Sequence, residues 1–415
     1  MQMISRFSLY GFLKNLNFAE PFLILFYLSI GLNFLQIGIL VSFLNICINV
    51  MEIPSGAIAD IYGRKNCMLL SLSSYIFSFI IFAFSSSYEP LFAAIFFFSI
   101  GESFRTGTHK AMIFDWLRQN NRLNEKTMVY GYTRSWSKYG SAIAVIASSA
   151  IVILTKDYRW IFLLSIFPYI AGLWNLASYP EYLNNRIEGN INIGAVFKHT
   201  FKSVKNAFGK TALRRLIVKS MGFEGVFDIT KNFLQPILQA QAIVIAALLV
   251  VSEKESTAIV VGAVYFILHI ISAAASKRAH IFAGRFRSDN SAITTLIFTG
   301  AALAFLSAAG MYTDLFIIAI SAYVVYYIIQ NLWRPILVAI YDNHADNSEQ
   351  ATILSIESQA KTVGITIFAP VAGFIADKWG IEGTLLLSAV IMLALGIFSI
   401  AGDREKDERK PSATL

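Results

Sequence analysis

The residues able to do chemistry in this chain are ionisable side chains set inside long apolar runs, and many recur at helical spacing. Glu102 and Arg105, Arg105 and His109, Arg134 and Lys138, Glu357 and Lys361, and the trio Glu224, Asp228 and Lys231 stand three or four residues apart. Each set therefore shares one face of a helix. Lys14 and Glu20 lie in the first apolar run beside Asn15 and Asn17, Glu52 lies in the second, and Arg334 in the tenth. A charge at bilayer depth costs about 2.5–3.5 kcal/mol by insertion scales, so it faces a cavity or a partner rather than lipid. Two chemistries follow. A carboxyl group desolvated in a membrane can load and release a proton near neutral pH, which makes Glu20, Glu52, Glu102, Glu224, Asp228 and Glu357 candidate proton carriers. Glu102 and Asp228 stand out by depth and by their basic neighbours. Like charges on one face, as at Arg134 and Lys138, repel unless acids or an anion compensate. Glu52, Glu357 or an anionic solute would serve. For Glu102 and Arg105 the structural alternative is an ion pair joining helices.

The elements that must position these charges are membrane helices. Of 415 residues, 56% are hydrophobic and 14% charged, where a soluble domain carries about 25% charged residues. Mean hydropathy is +0.59. A span needs about 20 mostly apolar residues, and by that rule about twelve are expected. They run over 8–31, 34–58, 66–86, 89–115, 128–154, 158–179, 214–243, 257–282, 291–311, 314–341, 350–376 and 381–402. The runs are continuous rather than alternating, which argues for helices over a barrel. The first carries Lys14 and Glu20 and no small-residue cleavage signature, so it reads as a retained span and not a signal peptide.

Basic residues set the orientation. One series of connections holds Arg64 and Lys65, Arg118 to Lys126, the stretch Arg186 to Arg215, Lys277 to Arg287 and the tail after Arg404; the alternate series is short and nearly uncharged. The positive-inside rule places the first series and both termini in the cytoplasm. The net charge of +8 thus reports topology, and no nucleic-acid partner is expected. The two cysteines, Cys47 and Cys67, and five scattered histidines form no disulfide framework or metal-ligand pattern. No P-loop and no nucleophile–base pair at membrane depth is present, so an enzyme, a metal and a cofactor are not expected.

The chain divides into a six-span bundle (1–180), a cytoplasmic linker (181–213), a second six-span bundle (214–402) and a cytoplasmic tail (403–415). Within the linker, KHTFKSVKNAF is either a basic amphipathic helix on the inner leaflet or part of a plain tether. A weak internal repeat supports two halves: KAMIFD ends at Asp115, ILVAIYD ends at Asp342, and Lys138 corresponds to Lys361 in the spans that follow. Six-plus-six repetition recurs among secondary transporters.

Between the second and third spans, EIPSGAIADIYGRK supplies Gly56, Asp60, Gly63, Arg64 and Lys65. Glycine at 56 would let two helices approach, Gly63 permits a tight turn, and Asp60 can accept from a helix N-terminus. This stretch resembles the signature of the major facilitator superfamily, with Ile58 for the usual leucine and Ile61 in place of the commonest arginine. The resemblance covers nearly the whole chain, to about residue 402. It implies an all-α fold of twelve transmembrane helices in two pseudo-symmetric six-helix bundles. It assigns Gly56, Asp60, Gly63, Arg64 and Lys65 to gating, with Asp115 and Asp342 as inner-gate anchors. It also directs the first, fourth, seventh and tenth spans toward a central cavity. Lys14, Glu20, Glu52, Glu102, Arg105, Arg134, Lys138, Glu224, Asp228, Lys231, Arg334, Glu357 and Lys361 then lie on a substrate or proton pathway. The expectation is a monomeric secondary transporter of the cytoplasmic membrane. It would move a small organic solute, favoured as anionic or zwitterionic (a carboxylate or siderophore-like compound), with protons as coupling ion. Proton-driven efflux of lipophilic compounds and a non-transporting receptor or scaffold are the alternatives.

Overall fold

The computed structural model describes residues 2–184, 211–249, 252–344 and 350–408. Among these residues every regular element is helical. A bilayer offers no water to unpaired backbone groups, and continuous apolar runs satisfy theirs internally by forming helices. The N-terminal part contains α1 (Gln2–Lys14), α2 (Leu23–Ser29), α3 (Phe34–Tyr62), α4 (Arg64–Phe84), α5 (Glu89–Arg105), α6 (Thr108–Gln119), α7 (Lys126–Thr155) and α8 (Arg159–Ala177). The remainder contains α9 (Thr211–Thr230), α10 (Leu234–Leu249), α11 (Glu253–Ala283), α12 (Asp289–Tyr312), α13 (Phe316–His344) and α14 (Gln350–Glu408). The last is interrupted at Trp379 and Gly380, whose backbone is non-helical. Eight helices among the described residues are long and apolar enough to cross a membrane. The KHTFKSVKNAF segment, the side chain of Asp342 and the end of the tail lie outside the described residues.

Expected spans that carry charge are not all single helices. The first is α1 and α2, parted by residues 15–22. There the Asn15 amide donates to the Gly11 carbonyl at 2.7 Å and Asn17 Oδ1 accepts from the Ala19 amide at 3.1 Å. Such side-chain bonds compete with the helix ladder. The fourth is α5 and α6, parted at Gly107 with φ +80°, a conformation that costs glycine little. The seventh passes from α9 to α10 through a 3-10 turn, Lys231–Phe233. Arg105 and His109 therefore do not share one helix face, as spacing alone suggested, because Gly107 ends the helix between them.

The helices fall into two compact units. Unit 1 comprises Met1–Leu32, Phe43–Thr200 and Gln239–Phe266; unit 2 comprises Asn33–Ser42, Phe201–Leu238 and Ile267–Leu415. Unit 1 packs aromatic rings edge-on, including Phe26 on Phe162 at 4.7 Å and Phe79 on Tyr169 at 5.0 Å between centroids. Unit 2 buries Trp333 completely, stacked on Phe223 at 4.0 Å. Lipid tails are as apolar as leucine, so helix association rests on such packing and on small residues that let backbones meet. Gly140 of α7 is one: a side chain there would collide with the Phe12 carbonyl of α1. Lys14 of α1 and Arg134 and Lys138 of α7 line one cavity beside that close approach. Outward-facing residues such as Leu154, Trp174 and Ile317 remain more than three-quarters exposed, as expected for a surface solvated by lipid.

Candidate functional site

In unit 1 a cavity of about 370 Å³ is lined from α1, α5, α6 and α7. Lys14, Arg105, Lys110, Arg134 and Lys138 all reach it, and no carboxylate lines it. Behind its wall stands Glu102, which pairs with Arg105 at 2.5 Å and Lys14 at 3.4 Å. The Tyr75 hydroxyl of α4 donates to Glu102 at 2.5 Å and accepts from Arg105 Nε at 3.3 Å. Glu102 thus neutralises one of two adjoining cations. Lys110 Nζ sits over the rings of Tyr130 and Phe114 at 5.4 and 5.5 Å, a contact that stabilises a cation without removing its charge. Neither Arg134, Lys138 nor Lys110 forms an ion pair among the described residues. Glu20 is exposed, and its charge acts on both Lys14 and Lys138. His109 lies against Tyr10 at 4.1 Å between centroids, and its buried Nε2 has no hydrogen-bond partner among the described residues.

The acids weighed as compensators of Arg134 and Lys138 take other positions. Glu357 belongs to a second cluster, in unit 2. Glu52 is half-buried near the middle of α3 and forms no ion pair among the described residues. In the unit 2 cluster, Arg334 Nη1 of α13 donates to Glu224 at 3.0 Å and to Glu357 at 2.6 Å. Lys361 lies 2.6 Å from Asp228 and 3.4 Å from Glu224, and Lys231 lies 2.7 Å from Asp228. Ser220 donates to Glu357 at 2.6 Å. Glu357 and Lys361 share a helix, yet each pairs with another helix instead. Three acids meet three bases, so this cluster is formally neutral while the unit 1 cavity is strongly cationic.

The motif between α3 and α4 forms a third group. Arg64 reaches Asp60 at 3.2 Å and also bonds Asp115 of α6, which accepts from Arg118 at 3.0 Å as well. Lys65 donates to the Tyr179 carbonyl at 2.7 Å. Gly63 has φ +95°, and a side chain there would run into the Asn184 side chain, so glycine is the residue this turn favours. Gly56 does not have the role its spacing suggested. A side chain there would meet open space, so no close helix contact requires that glycine in this conformation.

Sequence reasoning passed over Tyr75, which lies in a span without charges, and Ser220. A tyrosine or serine in an apolar run carries no spacing signal, and only the partner brought to it marks its role. It also passed over Asp377. In unit 2 this carboxylate accepts from the Phe34 and Leu35 amides of α3, both at 2.8 Å. Among the aromatic residues, Tyr10 reaches the unit 1 cavity, whereas Tyr323, Tyr326 and Trp333 are buried.

From residue 3 to residue 360 the chain matches the family model described as Major Facilitator Superfamily. It is 21% identical over 384 residues to the uncharacterized MFS-type transporter YxaM of Bacillus subtilis (strain 168), a match covering 90% of this chain and 89% of that protein. The fold is similar to that of the nucleoside transporter NupG, at 13% identity and a TM-score of 0.76, over 97% of this chain and 99% of that one. It is also similar to the D-xylose-proton symporter, at 13% identity and a TM-score of 0.68, over 94% and 96%. Together, the family match over most of the chain and the apolar helices identify it: the chain belongs to the Major Facilitator Superfamily and is a multi-pass membrane transporter.

Proposed function

We propose that this transporter moves a small organic solute bearing an anionic group across the cytoplasmic membrane by alternating access, coupled to protons. The observation that carries the reading is the unit 1 cavity, where five cations meet no lining carboxylate. Uncompensated cations behind low-dielectric walls concentrate an anion of opposite charge, and Arg134 and Lys138 form no ion pair among the described residues. Arg105 and Lys14, already anchored on Glu102, would position the bound group rather than supply most of its attraction. Gly63, Arg64, Asp60 and Asp115 act in this reading as the cytoplasmic gate, whose ion pairs must rearrange in each cycle. The basic connections support the orientation with both termini cytoplasmic.

The test is uptake into proteoliposomes under an imposed pH gradient, with labelled mono- and dicarboxylates and phosphate monoesters against lipophilic cations. Anion uptake that collapses with the gradient is expected. A charge-assisted hydrogen bond contributes about 1.5–3 kcal/mol. Arg134→Gln or Lys138→Gln should therefore weaken apparent affinity at least about tenfold. Transport of lipophilic cations and none of the anions would establish efflux of lipophilic compounds instead. Absence of flux across the panel would favour a receptor or scaffold.

A further inference from the structure

We propose that the unit 1 cavity selects an organic anion carrying hydroxyl groups beside its charge, and that Tyr10 and His109 are the residues that read those hydroxyls. The proposal names the solute class for the anionic reading above and rests on it.

The neutral polar groups that accompany the cations carry the argument. Asn15 donates its amide N–H to the Gly11 carbonyl at 2.7 Å, Thr133 donates to the Tyr130 carbonyl at 2.9 Å, and Ser141 donates to the Ser137 carbonyl at 3.3 Å. All three residues line the cavity. With its proton committed to the helix, each hydroxyl is left to accept, and so is the side-chain oxygen of Asn15. An ionised carboxylate or phosphate is itself acceptor-only and cannot use them. An ammonium group can donate, but it would share the cavity with five protein cations, and like charges repel. The donor that suits these acceptors is therefore neutral.

Tyr10 and His109 narrow that donor to a hydroxyl. Among the described residues, buried side-chain atoms without a hydrogen-bond partner occur in both units, but only the Tyr10 hydroxyl and His109 Nε2 belong to residues that line this cavity. Their ring centroids are 4.1 Å apart, and Phe7 meets the imidazole edge-on at 5.7 Å, so one packed unit carries both atoms. A tyrosine hydroxyl donates or accepts, and imidazole Nε2 does one or the other according to its tautomer. A solute hydroxyl matches either case, because a single oxygen both donates and accepts. An amide sends its N–H and C=O in opposite directions and suits adjoining atoms less well. Both protein atoms are already out of water, and a buried polar atom without a partner is unfavourable. A small side-chain rotation that presents them to a solute hydroxyl relieves that cost. The charge of the solute then belongs at Arg134 and Lys138 of α7, with its hydroxyls toward Tyr10 of α1 and His109 of α6. A volume of about 370 Å³ is near the lower end for small-molecule sites, so the solute is small.

Equilibrium binding to the purified protein tests this with two matched pairs, tartrate against succinate and hydroxyethyl phosphate against ethyl phosphate. The members of a pair share their charge and differ in hydroxyl groups. The hydroxylated member should bind at least about tenfold more tightly. Tyr10→Phe and His109→Phe should each shrink that ratio, whereas Arg134→Gln should weaken both members and preserve it. Tyr10→Phe removes a hydroxyl that has no partner among the described residues, so its unfolding midpoint should not fall. Equal binding within both pairs would overturn the proposal and leave the anionic reading standing. A ratio untouched by Tyr10→Phe would do the same, as would a fall in that midpoint, which would make the hydroxyl structural. Failure of all these anions to bind would overturn both readings.

Discussion

Replacing Glu102 by glutamine removes the carboxylate that holds both Lys14 and Arg105 and leaves two cations beside a cavity that already contains three more. Glutamine keeps the size of the side chain and can still accept from Tyr75, so packing changes little and the perturbation is electrostatic. Removing one partner of a buried ion pair costs about 3–5 kcal/mol because the other charge stays uncompensated. Here the three side chains are 18–28% exposed, so water screens part of the charge and the lower end, about 3 kcal/mol, is expected. Unfolding of the purified protein in detergent, followed by tryptophan fluorescence against denaturant, measures it. The double variant Glu102→Gln with Arg105→Gln removes an orphaned cation and should recover part of the loss, with a coupling of about 1–3 kcal/mol. The reasoning is refuted if Glu102→Gln lies within about 0.5 kcal/mol of wild type, or if the double variant merely sums the two single losses.

Gly63→Ala forces an L-residue to φ +95° and against Asn184; roughly 1–3 kcal/mol of destabilisation is expected, read by the same unfolding measurement. Asp377→Ala removes the cap from the first amides of α3 at a cost of about 0.5–2 kcal/mol. Hydrogen exchange should accelerate at Phe34 and Leu35 and not at residues in the middle of α3. In the connection between α6 and α7, two hydrogen bonds from Arg122 at 2.9 and 2.7 Å hold the Glu125 carboxyl below its usual range. A depressed folded value means that this contact stabilises above the unfolded range, about pH 4.3, and is lost as pH falls further. The protection factors of the amides at residues 122–126, with the intrinsic pH dependence of exchange divided out, should therefore fall on acidification and stay flat from about pH 6 to about pH 8, and Arg122→Gln should abolish the dependence.

Much of the architecture was legible because hydropathy is a local property. The run over 66–86 reads as a helix from its own residues, and α4 occupies Arg64–Phe84. The motif was legible for a similar reason: Asp60, Gly63 and Arg64 are neighbours in sequence, and the turn they build needs little beyond themselves. The interrupted helices were harder to read. A window of apolar residues averages over Gly107, and the backbone rotation there is visible only when the chain is traced. At Gly56 no close helix contact is made in this conformation, because a small residue permits such a contact without creating one.

Taken alone, the sequence determined that this is a helical membrane chain, where its polar turns fall, and which ionisable residues are set inside apolar runs. Each of these follows from the transfer free energy of short segments, which does not depend on what lies far along the chain. Tertiary structure decided which charges meet. Glu102 finds Lys14 across 88 positions, and Arg334 finds Glu224 across 110. Coulomb energy depends on distance in space and on the surrounding dielectric, and neither is encoded in spacing along the chain. That is why the same inventory of acids and bases resolves into a cationic cavity in one unit and a charge-balanced cluster in the other.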